Sequence, residues 1–304
     1  VGSGVRVGMD IRYAAVLGII QGLTEFLPVS SSGYLVLFQN LFGLKEPEIF
    51  FDVSVHVGTL VAICVFFFKD LKEIAVALFS VSTWSAKQNS LWEGLCQKPE
   101  IRLLGLILVG TVPTACLGLL FRPMIDKAFS SVQMVGVMLF VTGLLLWFTR
   151  GLKRGGRNAV QLTIRDALFI GVIQGVAILP GISRSGATIA IGLFSGIDRE
   201  TAARYSFLLS IPAVIGGMVL EFRGALTSGF PPAEVVLLGG FVAAVVGYGA
   251  LMVLIRLVKK GDLHAFAPYC WLLGGVAIAR SFLSLYPRGT ITNNDTLITN
   301  LGVR

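Results

Sequence analysis

Charge is scarce in this sequence, and so are histidine and any spaced set of cysteines. Only 14% of the 304 residues are Asp, Glu, Lys or Arg, where a soluble domain carries about 25%. That shortage excludes an ordinary water-soluble globule. The 4 cysteines, Cys64, Cys96, Cys116 and Cys270, show no metal spacing. Cys64, Cys116 and Cys270 fall within or at the end of apolar stretches and read as small packing residues. The net charge of +8 does not point to nucleic acid. The basic residues sit between apolar stretches, where they orient helices and face anionic lipid. Nothing reads as a cleavable signal peptide, because the first apolar segment runs straight into a polar motif. Val1–Gly8, rich in Gly and Val ahead of Met9, is set aside from fold reasoning.

Apolar residues are what the chain has in excess. They make up 55% of it, with a mean hydropathy of +0.81. Long apolar stretches recur at roughly 50–68, 101–121, 129–148, 203–221, 233–255 and 267–285, each near the ~20 residues a helix needs to cross the hydrocarbon core. The sequence therefore predicts an all-α, multi-pass protein of the cell (plasma or inner) membrane, folded as one domain over 1–304. Charge sets its topology. Lys69, Lys72, Lys87, Lys98 and Arg102 lie in one connection, and Arg150, Lys153, Arg154, Arg157 and Arg165 in another. Arg199 and Arg204 precede the fourth stretch, and Arg256, Lys259 and Lys260 follow the fifth. The alternate connections hold only Arg122 and Lys127, or Arg223. The positive-inside rule puts the basic set in the cytoplasm.

One pattern occurs twice, about half a chain apart. The first copy is Gly18-Ile19-Ile20-Gln21-Gly22, then Thr24, Glu25 and Leu27-Pro28-Val29-Ser30-Ser31-Ser32-Gly33. The second is Gly171-Val172-Ile173-Gln174-Gly175, then Leu179-Pro180-Gly181-Ile182-Ser183-Arg184-Ser185-Gly186. Broken apolar segments at matching places in two halves point to a functional site. Three spans separate the copies, so the halves are expected to be inverted repeats, about 10–148 and about 164–287. Each would be one re-entrant helical hairpin (12–42 and 164–197) plus three transmembrane helices. Irregular backbone survives at membrane depth only where protein or a wet cavity covers it. Two hairpins dipping from opposite faces would cover each other.

The polar residues in these copies carry the chemistry. Gln21 and Glu25 share a helix face at i, i+4. A carboxylate among Ile19, Ile20, Leu23, Phe26 and Leu27 is costly unless it meets a cavity, a cation or a partner. Glu25 reads as a metal ligand or general base, with Gln21 orienting water or the same ion. The plain alternative is an interhelical hydrogen-bond anchor. Ser30, Ser31, Ser32 and Gly33 open the next half-helix, whose N–H groups attract anions. Plain capping needs only one of these serines. Arg184 has the planar fork that suits phosphate, or pairs with Glu25 in the empty state. Ser183, Ser185, Gly186 and Thr188 would complete an anion site. Phosphoryl transfer requires positioning and charge stabilisation, which this set supplies, with a divalent cation on Glu25.

At these residues the sequence resembles the undecaprenyl-diphosphate phosphatase family, also called bacitracin-resistance proteins. Gln21-Gly22-Leu23-Thr24-Glu25 with the following serines is similar to that family's (Glu/Gln)-x-x-x-Glu signature. Pro180-Gly181-Ile182-Ser183-Arg184-Ser185-Gly186-Ala187-Thr188 is similar to its Pro-Gly-x-Ser-Arg-Ser-Gly-x-Thr signature. The resemblance implies an integral-membrane phosphoric anhydride hydrolase. It would convert undecaprenyl diphosphate to undecaprenyl phosphate and recycle the lipid carrier of cell-wall precursors. The site would open to the outer face and need a divalent cation, Mg2+ or Ca2+. Carried over by position, Gln21 and Glu25 are the acidic-motif residues, and Ser31 is the nucleophilic or substrate-polarising serine. Arg184 with Ser183 forms the diphosphate clamp.

One position departs from the family. Histidine commonly follows the Ser-x-Gly, and this chain has Tyr34. Tyrosine titrates near ~10 and usually donates a hydrogen bond, so a mechanism that needs histidine there cannot run unchanged. Three readings stay open: Ser31 attacks with Glu25 as base or metal ligand while Tyr34 binds phosphate; water attacks, activated by a metal on Glu25; or this member is slow or inactive. Of the two histidines, His56 is the one placed to approach the cavity, and His264 lies in a basic connection. A lipid-phosphate transporter or flippase using the same midplane site is the rival class, and a catalytically dead binder a third. Gly216-Gly217, Gly239-Gly240 and Gly247–Gly249 permit close packing within a subunit or between two copies in a homodimer.

Overall fold

The computed structural model describes residues 11–34, 49–84, 98–129, 131–152, 155–228 and 232–285. Its α-helices are α1 (Ile11–Phe26), α2 (Ile49–Phe66), α3 (Phe68–Trp84), α4 (Pro99–Leu120), α5 (Arg122–Phe129) and α6 (Val132–Trp147), followed by α7 (Ile164–Val176), α8 (Arg184–Phe194), α9 (Arg199–Ser228), α10 (Ala233–Lys260) and α11 (Ala267–Leu285). Helices are what a lipid setting demands, since every backbone polar group must be satisfied inside the segment. Four helical stretches are long and apolar enough to cross a membrane: Pro99–Leu120, Arg199–Leu220, Ala233–Lys260 and Leu263–Phe282. Two bent pairs, Phe50–Phe66 with Phe68–Ser80 and Arg122–Phe129 with Val132–Trp147, raise the number to as many as 6. These coincide with the six apolar runs of the sequence. The chain is a multi-pass helical membrane protein. Phe79, Leu237, Phe241 and Leu272 stand exposed on its flanks, as a lipid-facing surface requires.

The connection at 69–102 holds a helix that charge counting did not reveal. α3 turns 74° from α2, opens with Lys69, Asp70, Lys72 and Glu73, and exposes Phe68, Val76 and Phe79. Its charged start and exposed apolar residues give it a more mixed character than the spans. Asp70 ties it to the core through an ion pair with Arg204 of α9.

The two motif copies fold as short helices around a turn. α7 has 13 residues and α8 has 11, so they reach only about 20 Å and about 16 Å at helical rise, short of the ~30 Å hydrocarbon core. α1 ends at Phe26, and helical backbone resumes at Ser31–Tyr34. Residues 35–42 of the first hairpin, and Cys96, lie outside the described residues.

Packing crosses between the halves. α1 and α2 lie on α10, α7 and α9 lie on α4, and α6 lies on α11. Glycines allow these approaches, as α1 on α10 and α7 on α4 show. A Cβ at Gly18 of α1 would come 2.7 Å from the Gly239 carbonyl oxygen, and one at Gly22 would come 2.8 Å from that of Ala243. The equivalent Gly171 of α7 packs its Cα against the Gly110 carbonyl of α4 with no room for a side chain. The end of α7 away from the motif turn is fixed by a capping box. Thr163 accepts from the Asp166 N–H at 3.2 Å, and Asp166 accepts from Thr163 N–H at 2.8 Å. Arg157 donates to both Asp166 oxygens at 2.7 Å. Burial alone would raise the Asp166 carboxyl, but hydrogen bonds from Arg157 and Thr163 hold it down at about 2.

Candidate active site

Pro28 has no N–H to continue α1, so the chain turns there. Ser30 takes a left-handed φ of 68°, which costs a non-glycine residue about 1–2 kcal/mol. Two hydrogen bonds offset that strain. The Ser30 hydroxyl accepts from the Gly33 N–H at 3.3 Å and from the Gly181 N–H of the other copy at 3.1 Å. The second turn is equally pinned. Gly181 needs a φ of 96°, and its carbonyl accepts from Thr142 at 2.9 Å, while the Ser183 N–H donates to the same hydroxyl at 3.1 Å. Ser183 then caps α8, accepting from the Gly186 N–H at 3.1 Å. The Ser185 hydroxyl donates to the Phe26 carbonyl at 2.9 Å, and the Cys270 thiol to that of Pro28 at 3.4 Å. The two broken segments thus meet, turn against turn.

Their polar side chains converge on Glu25, which is only 8% exposed. Its Oε1 accepts from Arg184. Its Oε2 accepts from Ser31 Oγ at 2.8 Å and from Gln21 Nε2 at 3.0 Å. His56 Nδ1 faces the Asp52 carbonyl at 2.8 Å, which fixes it as the donor, and Nε2 lies 3.9 Å from Glu25 Oε2. The second terminal nitrogen of Arg184, NH1, is buried and has no hydrogen-bond partner among the described residues.

These groups open onto a cavity of about 600 Å³. Of the residues singled out in the sequence, Glu25, Ser30, Ser31, Ser32, Ser183 and Arg184 line it, together with His56. Gln21, Gly33, Tyr34, Ser185, Gly186 and Thr188 stand behind that lining. Tyr34 N–H donates to the Ser30 carbonyl at 3.2 Å. Thr188 is fully buried, its hydroxyl on the Arg184 carbonyl at 2.7 Å and on Ser206. Ser185 and Thr188 therefore hold the turn in shape, and their hydroxyls do not face the cavity. Sequence reasoning missed Arg122, Thr111, Thr114 and Gln174, which line the cavity as well. Gln174 had a signal, as the counterpart of Gln21 in the second copy. Arg122 had none beyond a charge at the end of an apolar run.

Glu25 is the one carboxylate among the described lining residues, and no three His, Cys, Asp or Glu side chains converge among the described residues. The described residues alone do not build a full protein cage for a metal there. The donors at hand are oxygens, Glu25 and the Ser31 hydroxyl, with the Gln21 amide oxygen behind them, buried and without a hydrogen-bond partner among the described residues. Such a set fits a hard cation that takes its remaining ligands from substrate phosphates and water.

The profile of the bacitracin resistance protein BacA family matches residues 14–276. The chain belongs to that family. It is 49% identical over 276 residues to an undecaprenyl-diphosphatase of Desulforapulum autotrophicum, covering 91% of this chain and 100% of the relative. It is 51% identical to the Desulfosudis oleivorans protein of that name, over 89% of this chain and 98% of the relative. An undecaprenyl-diphosphatase of Desulfatibacillum aliphaticivorans is 48% identical over 88% of this chain and 98% of its own length. Both family motifs fall inside the matched region, and their side chains are the ones that meet at Glu25.

Proposed function

We propose that this protein hydrolyses undecaprenyl diphosphate to undecaprenyl phosphate and inorganic phosphate, recycling the lipid carrier of cell-wall synthesis. The observation that carries this reading is the convergence of Ser31 and Arg184, one from each motif copy, on the same buried carboxylate. The relatives bear a hydrolase's name, which favours hydrolysis over transport by the same site.

The residues support a direct displacement. Arg184 NH1, on the first residue of α8, receives the terminal phosphate. Ser31 Oγ attacks its phosphorus while the hydroxyl proton passes along the existing hydrogen bond to Glu25 Oε2. The bond from phosphorus to the bridging oxygen breaks, and undecaprenyl phosphate leaves with the electron pair. Water then hydrolyses the phosphoseryl ester. A second reading, with water as the nucleophile, is supported by His56 Nε2 and Glu25 Oε2, which face each other across 3.9 Å. A divalent cation, Mg2+ or Ca2+, held by Glu25, Ser31 and substrate oxygens, would neutralise charge on the diphosphate. Tyr34 is not among the described residues that line the cavity, and neither reading assigns it a proton transfer.

The two halves read as inverted repeats whose hairpins enter from opposite faces. Support comes from the exchange of partners: α1 on α10 mirrors α7 on α4, and α2 on α10 mirrors α9 on α4, as a two-fold axis would require. With the basic connections in the cytoplasm, the cavity mouth beside Arg122 and Leu220 opens outward from the plasma or inner membrane.

The test is phosphate release from undecaprenyl diphosphate by purified protein with Mg2+, Ca2+ or chelator, beside the Tyr34→His variant. Metal-dependent release by the parent is expected. No release by the parent, with release by Tyr34→His, would mean that the binding site is kept and the chemistry lost.

A further inference from the structure

The substrate named by the relatives is a small polar head on a long apolar chain, and the cavity accounts only for the head. A second void of about 800 Å³ lies between α2, α9 and α10. Its walls include Val53, Val57 and Val61 of α2, Ile215 and Val219 of α9, and Phe241 of α10. The one hydroxyl among the described lining residues, on Ser54, is donated to the Phe51 carbonyl at 2.7 Å. None of the described lining residues offers a polar group to a ligand, so the groove fits an apolar occupant.

Position separates this groove from the rest of the lipid-facing surface. It takes residues 50–61 from α2, 215–219 from the later part of α9 and 236–244 from the first half of α10. These lie at the same end of the bundle as Arg122 and Leu220 at the cavity mouth. α2 and α9 form the partition between the two spaces. On α2, His56 faces the cavity and Val57 the groove. On α9, Gly216 and Gly217 line the cavity, Ile215 and Val219 line the groove, and Met218 lines both. A Cβ at Gly216 or Gly217 would meet nothing within 4 Å among the described residues, so the partition is lowest beside Met218. The groove is deep because α2 and α10 touch backbone to backbone at Gly58 and Gly240.

We propose that this groove is the bed for the prenyl chain, with the diphosphate in the cavity and the chain crossing between α2 and α9 at Met218. The inference rests on the diphosphatase reading. Lipid tails are as apolar as the groove walls, so burial there adds little raw affinity. The groove acts instead on orientation and on preference for long chains.

Two measurements on the full-length protein decide it. The first uses a prenyl diphosphate carrying a diazirine several isoprene units from the head. Irradiation of the parent should label the groove residues of α2, α9 and α10, and undecaprenyl diphosphate should compete. The second uses Val57→Trp and Ala244→Phe, made separately on opposite walls. Each should lower kcat/KM for undecaprenyl diphosphate about five- to tenfold, below the full effect of a closed apolar pocket because lipid competes, and leave geranyl diphosphate unchanged. Label confined to other helices while the parent still releases phosphate would overturn the groove and leave the diphosphatase reading intact. A parent that hydrolyses neither substrate would sink that reading, and the competed label would still decide where the chain lies. If Val57→Trp converts a dimer to monomers without moving the chain-length preference, the groove is an interface between copies and the proposal falls.

Discussion

Replacing Arg184 with alanine perturbs the centre of the site in a way that can be sized. In the resting structure one terminal nitrogen of Arg184 is spent on Glu25, and NH1 is buried without a partner among the described residues. A diphosphate entering the cavity gains a charge-assisted hydrogen bond from NH1, worth about 1.5–3 kcal/mol. On the proposed mechanism the guanidinium also faces the charge that builds on the phosphoryl oxygens, where loss of one such donor costs about 2.7–4 kcal/mol. The two overlap, so Arg184→Ala should lower kcat/KM by roughly a hundred- to a thousand-fold. Arg184→Lys keeps the charge but not the planar fork and should recover only part of it. The confounding effect is stability, because Glu25 loses its counter-ion at 8% exposure, and breaking a buried pair costs about 3–5 kcal/mol. The assay is therefore phosphate release normalised to protein that elutes as a single folded species, with melting temperature recorded alongside. Turnover within threefold of the parent in folded Arg184→Ala would refute the assignment. Full recovery by Arg184→Lys would refute the division of the fork between Glu25 and the phosphate and leave only the charge.

Other consequences follow from the same contacts. Ser30→Ala loses the acceptor for both the Gly33 and Gly181 N–H groups and keeps the left-handed backbone, so melting should fall by the equivalent of about 1–3 kcal/mol, with activity reduced as the turns separate. Gly171→Leu should abolish folded protein in a detergent-extraction assay, because a side chain there collides with the Gly110 carbonyl, whereas Gly249→Leu, with nothing within 4 Å, should be tolerated. The Asp166 carboxyl sits at about 2 in the fold against a usual 3.8. Its contribution is complete above pH 4 or so and is lost as pH falls toward 2. Asp166→Asn should thus melt lower than the parent at pH 7 and converge with it near pH 2. A gap that does not close would show that the aspartate acts otherwise.

The sequence exposed the spans and the motifs because both are local. Six apolar runs need only a length count, and Glu25, Ser31 and Arg184 stand out because charge and hydroxyl clusters are costly among apolar neighbours. What it could not expose is non-local. Nothing marks Thr142 as the hydroxyl that holds the second turn, since its partners Gly181 and Ser183 lie some forty residues away. Ser185 and Thr188 read as ligands for phosphate, yet a serine that caps or back-bonds looks the same in sequence as one that binds substrate. α3 was hidden because four charges in its first turns resemble a solvated loop. Gly18 and Gly22, with their counterparts Gly171 and Gly175, were visible only as part of a repeat. Their role in bringing each broken segment onto a span of the opposite half needs the fold.

The most direct test of the central claim is stoichiometry. Purified protein reconstituted in vesicles is given undecaprenyl diphosphate labelled in the terminal phosphate, and free phosphate, lipid monophosphate and the sidedness of the lipid are followed together. Hydrolysis at the Glu25–Ser31–Arg184 site predicts one phosphate released for each undecaprenyl phosphate formed. Intact diphosphate appearing in the opposite leaflet, with no phosphate released, would contradict the account and make the same cavity a lipid transporter's.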